Sequence, residues 1–269
     1  MTRFELQYAR LFCAILLCAL PVFAQPDPPI VRYVQGSIHG FLEMRSPDGR
    51  VVATGDIIQS VHDDHVTLQT IFNFKDGSSD DETTVFSESH TFQFISDHHI
   101  QKGPFFPHPL DVLIDGRSGE VTTRTTGTDG TEDVKTTHVQ LPPDLANGIV
   151  PLVIENMDFS GSSKTVSVLV VTPRPLLAKL VISKIGEDSF SLVGSPRKAI
   201  HYAIKIQLTG LAGVVAPIIG KAPPDIQIWP AAGQVPTFIR EQGPIYPDSL
   251  VMTIQLASPT WPDASKSGN

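Results

Sequence analysis

The stretch that decides the fold class of this chain is Val66-Thr67-Leu68-Gln69-Thr70-Ile71-Phe72-Asn73-Phe74. Its even-numbered positions are mostly apolar, and polar side chains occupy most of the positions between them. The same alternation returns at residues 200–208 and 250–256. Successive side chains of a strand point to opposite faces, so a period of two lets one face pack while the other meets water. The pattern therefore predicts antiparallel β-sheet.

On both sides of that stretch, alternation continues along most of the chain between residues 36 and 258. Strands are expected near residues 36–45, 50–60, 64–75, 82–88, 90–96, 111–115, 120–126, 133–140, 164–172, 177–185, 188–193, 198–209, 225–229, 235–240 and 249–258. Tight hairpins need residues with positive φ, which Asp-Gly pairs supply. Such pairs stand between strand-like runs at Asp48-Gly49, Asp76-Gly77, Asp115-Gly116 and Asp129-Gly130.

One segment, residues 141–157, departs from the alternation. Its apolar side chains recur at a spacing that suits one buried stripe of a helix. These residues are Leu145, Ile149, Leu152 and Ile154. We expect a helix near residues 143–157, kinked or begun afresh at Pro151. A helix between two runs of antiparallel strands predicts a mainly β fold, in which a curved antiparallel sheet (a half-barrel or open barrel) packs on one central helix.

The two runs of strands each carry one apolar face, so we expect a single antiparallel β domain at residues 35–261 with a shared core. Residues 25–34 are expected to form an N-terminal extension, and residues 262–269 a disordered tail. The stretch Ser160-Gly161-Ser162-Ser163 leaves open the alternative of two separate domains joined near residue 160.

The first 24 residues have the build of a secretory signal peptide. Arg3 and Arg10 precede about ten apolar residues, Pro21 breaks that run, and Val22-Phe23-Ala24 offers small residues to a signal peptidase. The run is too short to cross a membrane as a helix. We expect cleavage after Ala24, no transmembrane anchor in the cleaved chain, and a periplasmic or secreted location. An ordinary amphipathic first helix is the alternative.

Charge and cysteine content exclude several classes of function. The formal net charge is −8 for the whole chain. Removing residues 1–24 leaves 18 basic against 27 acidic side chains, a charge of −9, which repels nucleic acid and anionic lipid headgroups. Cleavage also removes both cysteines, Cys13 and Cys18. Disulfides, cysteine nucleophiles and thiolate metal sites are then unavailable to the exported chain.

The histidines are the first candidates for metal chemistry, because imidazole and carboxylate are ligands for zinc and similar ions. His62 and His65 flank two aspartates, Asp63 and Asp64, in a turn. The other candidates are His98 and His99, which follow Asp97, and His108. Neighbouring residues of a strand face opposite ways, so His98 and His99 cannot bind one ion without a bend. We therefore favour ordinary loop histidines and no metal site.

An acidic run, Asp80-Asp81-Glu82, follows the turn at Asp76-Gly77. Carboxylate oxygens could hold calcium, but the run lacks the spaced ligands of a dedicated calcium loop. We expect these carboxylates to stay solvated at the tip of a hairpin.

The segment from Gly210 to Gly220 is apolar throughout and bounded by glycines. One interpretation is a mobile lid, or a loop that touches a membrane, over an apolar cavity. The other is a buried crossover that covers one end of the sheet. As a lid, its candidate ligand-binding side chains are Val214, Val215, Ile218 and Ile219.

Three stretches in the last third of the chain carry a resemblance to a known group of proteins. They are His201-Tyr202-Ala203-Ile204-Lys205, Pro223-Pro224-Asp225-Ile226-Gln227-Ile228-Trp229 and Gly243-Pro244-Ile245-Tyr246. In order and pattern the chain resembles uncharacterised exported bacterial β-proteins with a half-barrel fold. Those folds are similar to periplasmic lipoprotein carriers, in which a curved antiparallel sheet embraces a helix and holds acyl chains.

The resemblance implies a non-enzymatic binding or carrier protein of the cell envelope for a hydrophobic or lipid-like ligand. It supplies no catalytic residues and implies no cofactor. Two alternatives stay open: a metal-assisted hydrolase that uses the His/Asp cluster, and a structural envelope protein without a ligand.

Overall fold

The computed structural model describes residues 26–126, 131–158, 163–171, 174–208 and 224–257. Within these ranges the chain forms fourteen strands and one short helix. The strands are β1 (Ile38–Arg45), β2 (Val51–His62), β3 (His65–Phe74), β4 (Ser79–Glu88), β5 (Phe92–Lys102), β6 (Leu110–Asp115), β7 (Glu120–Thr126), β8 (Glu132–His138), β9 (Lys164–Val171), β10 (Pro175–Leu192), β11 (Ser195–Leu208), β12 (Ile226–Ala231), β13 (Thr237–Pro244) and β14 (Val251–Leu256). The helix, α1 (Val150–Asn156), lies between β8 and β9. Within those ranges no helix is both long and apolar enough to cross a membrane.

All fourteen strands belong to one antiparallel sheet in the order β8-β7-β6-β5-β4-β3-β2-β1-β14-β13-β12-β11-β10-β9. Strands that follow one another in sequence are neighbours in each of two series, β1 to β8 and β9 to β14. The two series meet where β1 pairs with β14, at the register Leu42 opposite Leu256. The predicted fold class, a mainly β chain with a curved antiparallel sheet on one helix, is confirmed.

The sheet curls until its two ends approach each other. Val112 of β6 and Leu169 of β9 belong to one buried apolar cluster, although eleven strand spacings, about 50 Å along the sheet, separate their strands. Leu145, from the segment before α1, completes that cluster. The sheet nevertheless stays open, because β8 and β9 are its two edges and do not pair.

Residues 144–147 occupy part of the β9 edge. The Ala146 amide donates to the Ser167 carbonyl at 2.9 Å, and the Ser167 amide donates to the Asp144 carbonyl at 3.1 Å. The side chain of Asn147 bonds both backbone groups of Leu169. These bonds satisfy the outward backbone groups of an edge strand that would otherwise be free to pair with another chain.

The helix α1 is shorter than the expected range of 143–157. Residues 143–149 form turns, because the backbone groups of Asp144 and Ala146 are bonded to β9 and cannot also complete helical turns. Pro151 stands in the first turn of α1, where a missing amide hydrogen costs nothing. The predicted apolar stripe is buried all the same. Its members are Leu145, Ile149, Leu152 and Ile154.

The helix fills the concave side of the sheet. Its buried face shares one core cluster with strands from both series: β3, β4 and β5 on one side, and β9, β10, β11 and β12 on the other. Strands so far apart in the sheet can contact one helix only if the sheet wraps around it.

Three details of the expected strands differ from the structure. The expected strands 177–185 and 188–193 are one long strand, β10, with a register shift between Lys184 and Gly186. The expected strand 90–96 continues to Lys102 as β5. The turn at 115–119 takes its positive φ at Gly119 rather than at Gly116, because the Asp115 side chain accepts two backbone amides and lengthens the turn.

Two of the Asp-Gly turns follow the prediction, since Gly49 and Gly77 both have positive φ. The pair Asp129-Gly130 lies outside the described residues, as do the expected signal peptide at 1–24 and the expected tail at 262–269.

The described part of the N-terminal extension is fastened to the sheet and the helix. Phe92 donates its amide to the Pro29 carbonyl at 2.8 Å, and the Asn156 side chain at the end of α1 accepts the amides of Arg32 and Tyr33. These bonds hold the N-terminal extension against the start of β5 and the end of α1.

Candidate functional site

A polar cluster lies on the core face of β4 and β5. The register places Asp80 opposite Gln101, Glu82 opposite His99, and Thr84 opposite Asp97. Thr84 also lies opposite Leu68 of β3, and Leu68 packs against the central helix in the core. Because opposite residues share a face, these six polar side chains point to the concave interior.

His99 is the centre of the cluster. Its Nε2 atom lies 2.8 Å from Asp80 Oδ1, and its Nδ1 atom lies 3.9 Å from Glu82 Oε1. Gln101 Nε2 donates to the other Asp80 oxygen at 3.0 Å and to the carbonyl of Ile245 at 3.2 Å. The second bond joins β5 to the loop after β13, which is on the far side of the interior.

Asp97 is enclosed beneath the chain that leads into α1. It is 2% exposed, and its Oδ1 atom accepts a 2.6 Å hydrogen bond from the Thr84 hydroxyl. Gly148 lies directly over this pair with a positive φ of +65°, and a Cβ atom at Gly148 would overlap the Thr84 hydroxyl oxygen. The helix entry therefore seals Asp97 away from water.

Glu241 of β13 is a further acid whose side chain points into the interior. It lies opposite Ile228 of β12 and Ile254 of β14, and Ile228 belongs to the central core. A register shift beside Trp229 and Pro230 leaves one β13 residue, Ile239, without an opposite partner on β12. An extra residue of this kind re-aims the side chains that follow, which here turns Glu241 inward.

The interior environment raises the pKa of three inward-facing carboxyl groups, those of Glu82, Asp97 and Glu241. Burial, reinforced by the charge of Asp97, raises the pKa of Glu82 to about 8. Burial raises the pKa of Glu241 to about 7, and it also raises the pKa of Asp97. Glu82 is only partly buried, since 29% of its side-chain surface stays accessible.

The carboxylate neighbours of His99 raise its pKa. Burial by itself lowers the pKa of His99, but the charges of Glu82 and Asp80 and the hydrogen bond to Asp80 outweigh burial and raise it to about 9. On the helix, burial raises the pKa of Glu155 to about 8, against a hydrogen bond from the backbone of Phe238. The interior can therefore exchange several protons close to neutral pH.

The histidine candidates do not come together. His62 and His65 lie at the β2–β3 turn, where His65 Nδ1 is 2.7 Å from Asp64. His98 points to the outer face and contacts Asp111 at 3.0 Å, while His99 points inward, as the alternation predicts. His108 lies in the exposed loop after β5. In the described part of the chain, no group of three or more His, Cys, Asp or Glu side chains is arranged to hold a metal ion.

The expectation of solvated carboxylates at residues 80–82 is wrong for two of the three. Asp80 and Glu82 belong to β4 and face inward, because the turn ends at Ser78 and the strand begins directly after it. The same correction applies to His98 and His99, which are strand residues rather than loop residues. The alternation along β4 could have predicted this. Glu82 lies two residues before Thr84 and four before the buried Phe86, so all three side chains share one face of the strand.

A second feature is an apolar groove at one end of the sheet. It is open to solvent, has a volume of about 500 Å³ and is lined by Arg50, Val51, Val52, Phe74, Lys75, Asp76 and Phe105. Phe105 lies 4.4 Å from Phe74 between ring centroids, and 6.3 Å from Tyr246. Sequence reasoning did not find this groove, because its walls come from separate strands and from the loop after β5.

The predicted lid side chains, Val214, Val215, Ile218 and Ile219, lie outside the described residues. Their role as ligand contacts stays a prediction.

No family model and no curated protein matches this chain. Among solved structures, it is similar to a beta-barrel-like protein of a domain of unknown function, DUF1849, from Brucella abortus. The match has 7% sequence identity and a TM-score of 0.40, and it covers 89% of this chain and 100% of the other.

Proposed function

We propose that this protein is an exported binding or carrier protein of the cell envelope, and that it holds a hydrophobic, lipid-like ligand. The observation that carries the proposal is the apolar groove beside Phe74 and Phe105. Export rests on residues 1–24, and the likeness to lipoprotein carriers rests on the sequence pattern of a curved sheet around a helix.

The groove has the size and the walls that an acyl chain needs. Its volume of about 500 Å³ falls within the range of small-molecule sites, roughly 300–1,000 Å³. Val51, Val52 and the two phenylalanine rings form its apolar surface. Transfer of each methylene of a ligand from water to such a surface contributes about 0.8 kcal/mol.

The rim of the groove favours a carboxylate headgroup. Lys75 and Arg50 both line it, and Lys75 forms no ion pair within the described ranges. Arg50 is held by Asp48 at 2.6 Å, and Asp76 turns back to accept the amide of Ser78. Lys75 is therefore the cation that remains for a ligand, and a single-chain fatty acid matches both the walls and the charge.

The experiment is a calorimetric titration of the full chain with palmitate and, separately, with hexadecanol. We expect the variant Phe105→Ala to weaken both ligands about tenfold, because it removes one wall of the groove. The variant Lys75→Gln should weaken palmitate by up to about fivefold and leave hexadecanol unchanged, since an exposed ion pair contributes at most about 1 kcal/mol.

The matched control is Lys184→Gln, which removes an exposed lysine of β10. It should change neither titration. Binding that survives Phe105→Ala would place the ligand elsewhere, and no binding of either ligand would favour a structural envelope protein.

A further inference from the structure

We propose that two copies of this chain associate through their β8 strands, which pair antiparallel about a two-fold axis at Val134. The pairing joins the two fourteen-stranded sheets into one continuous sheet. This surface is separate from the groove proposed for the ligand, because none of the residues that line the groove belongs to β7 or β8.

The two edges of the sheet differ in what covers them. At β9, residues 144–147 bond the outward backbone groups of Ser167 and Leu169. At the other edge, β8 pairs with β7 and with no other described strand. The open edge of a strand is a template on which a further strand can pair. Within the described part of the chain, β8 is therefore the edge that offers its backbone to a partner.

The strand β8 also lies outside the core. All seven of its residues are exposed. The apolar cluster that brings the two ends of the sheet together takes Val112 from β6, Val121 from β7 and Leu169 from β9, and in the described ranges it takes no residue from β8. The strand therefore projects beyond the point at which the sheet curls back on itself, where a second chain has access to it.

Strand geometry allows few symmetric registers for the pairing of β8 with its own copy. In an antiparallel pair, opposite residues either both direct their backbone groups at the partner strand or both direct them away. Residues whose backbone groups point away from β7 alternate along β8, so two opposite residues must be an even number of positions apart in the sequence. A two-fold axis then passes through one residue, which lies opposite its own copy.

The charges of β8 select Val134 as the residue on the axis. An axis at Asp133 or at Lys135 places two like charges directly opposite each other, which is destabilising. An axis at Thr136 leaves Lys135 opposite Thr137, without an opposite charge, and an axis closer to either end pairs fewer residues of the strand. With the axis at Val134, Asp133 of each copy lies opposite Lys135 of the other. This register alone gives two Asp–Lys pairs and one Val–Val pair.

The side chains of β8 suit this pairing. Val134 is 52% exposed, and contact with a second valine removes apolar surface from water. Lysine at a strand edge commonly opposes pairing with another chain. Here Lys135 Nζ lies 2.7 Å from Asp133 Oδ2 of its own strand, so its charge is already balanced. In the dimer, the two lysines and two aspartates surround the axis on one face and form a single network.

The first test is oxidative cross-linking of single-cysteine variants of the full chain carrying Cys13→Ser and Cys18→Ser. We expect Val134→Cys to form a disulfide-linked dimer, because a residue on the axis has its Cβ atom about 5 Å from that of its copy. The matched control is Thr136→Cys, an exposed position on the same face of β8. In this register Thr136 lies about 14 Å from its own copy, and the variant should cross-link at least about tenfold more slowly, since a disulfide cannot span that distance.

The second test is sedimentation equilibrium of charge variants. The unsubstituted chain should dimerise as its concentration rises. Asp133→Lys and Lys135→Asp should each weaken the dimer at least about tenfold, because each places like charges opposite each other at two positions. An equimolar mixture of these two variants should recover the association, since the lysines of one then lie opposite the aspartates of the other. The control is Lys198→Asp, which reverses a similarly exposed charge on β11 and should leave the dimer intact.

Four results would overturn the proposal. The first is a chain that stays monomeric up to about 1 mM. The second is a dimer that neither charge variant weakens or that the mixture does not recover. The third is equal cross-linking of Val134→Cys and Thr136→Cys, which would exclude the axis at Val134. The fourth is a monomer whose β8 amides exchange slowly with deuterium, which would mean that another segment covers this edge.

Discussion

At the scale of single residues, Gly148 shows how the fold encloses a carboxyl group. Its φ of +65° lies in the left-handed region, and the Thr84 hydroxyl occupies the space that a side chain would need. Two separate requirements therefore select glycine here: the backbone conformation and the close approach to the Thr84–Asp97 pair. Gly194, in the β10–β11 turn, meets only the first, with a φ of +76° and no atom within 4 Å of an added Cβ.

We predict that Gly148→Ala destabilises the protein by about 2–5 kcal/mol. Positive φ costs an alanine about 1–2 kcal/mol, and forcing a methyl group against Thr84 adds about 1–3 kcal/mol. Gly194→Ala should show the backbone cost alone. Urea unfolding of both variants checks the difference, and equal losses would mean that the close approach to Thr84 is not important.

At the scale of elements, the segment 144–147 acts as a short partner for the β9 edge. Lys179 of β10 donates to Asp144 at 3.1 Å and to the Ser167 hydroxyl at 2.6 Å, and Ser167 donates to the second Asp144 oxygen at 2.6 Å. Asp144 is 1% exposed. Its carboxylate depends on these two donors, because water cannot replace them at a buried position.

We predict that Lys179→Met destabilises the protein by about 1–3 kcal/mol, since it leaves the buried Asp144 carboxylate short of a donor. Adding Asp144→Asn to that variant should recover part of the loss, because the uncompensated charge is then gone. The control is Lys198→Met, which breaks an exposed pair with Glu187 and should cost less than about 1 kcal/mol. If the two lysine substitutions cost the same, the buried network does not stabilise the edge.

At the scale of the whole molecule, curling the sheet gathers acids that are distant in sequence into one interior. The pKa of Glu82 rises to about 8, that of Glu241 to about 7 and that of Glu155 to about 8, while that of His99 rises to about 9. In each case the folded chain binds a proton more tightly than the unfolded chain, whose ordinary values are 4.5 for glutamate and 6.5 for histidine.

We predict that stability falls as pH rises from about 5 to 9. Where the folded state binds more protons than the unfolded state, the free energy of unfolding decreases with pH. The glutamates make the free energy of unfolding decrease between pH 4.5 and about 8, and His99 makes it decrease between pH 6.5 and about 9. Asp48 and Asp115, whose pKa values are lowered by hydrogen bonds, act in the opposite direction but only in strong acid.

Calorimetric melting of the unsubstituted chain across this range checks the sign of the dependence. Glu82→Gln should flatten the curve between pH 5 and pH 8, and Glu120→Gln on the exposed β7 should leave its slope unchanged. A melting temperature that rises with pH would contradict the prediction.

The sequence by itself determined the local features of this protein. Alternation of period two placed the strands, since it depends only on the geometry of one strand. It also put His98 and His99 on opposite faces of β5. The apolar stripe at residues 145–154 identified the segment that fills the core, although the backbone there is helical only from Val150. The sequence of this segment does not show that the helix is short. The helix is short because residues 144 and 146 form hydrogen bonds with β9, which lies later in the chain.

Only the tertiary structure decided which distant residues meet. The pairing of β1 with β14, the bonding of residues 144–147 to β9 and the groove beside Phe105 all join residues far apart in sequence. The alternation of apolar and polar residues predicts on which face of the sheet a side chain lies. It does not predict how strongly the sheet curls or which strand lies across the interior. Those depend on the packing of both strand series around one helix, and that packing has no signature in any single stretch of the chain.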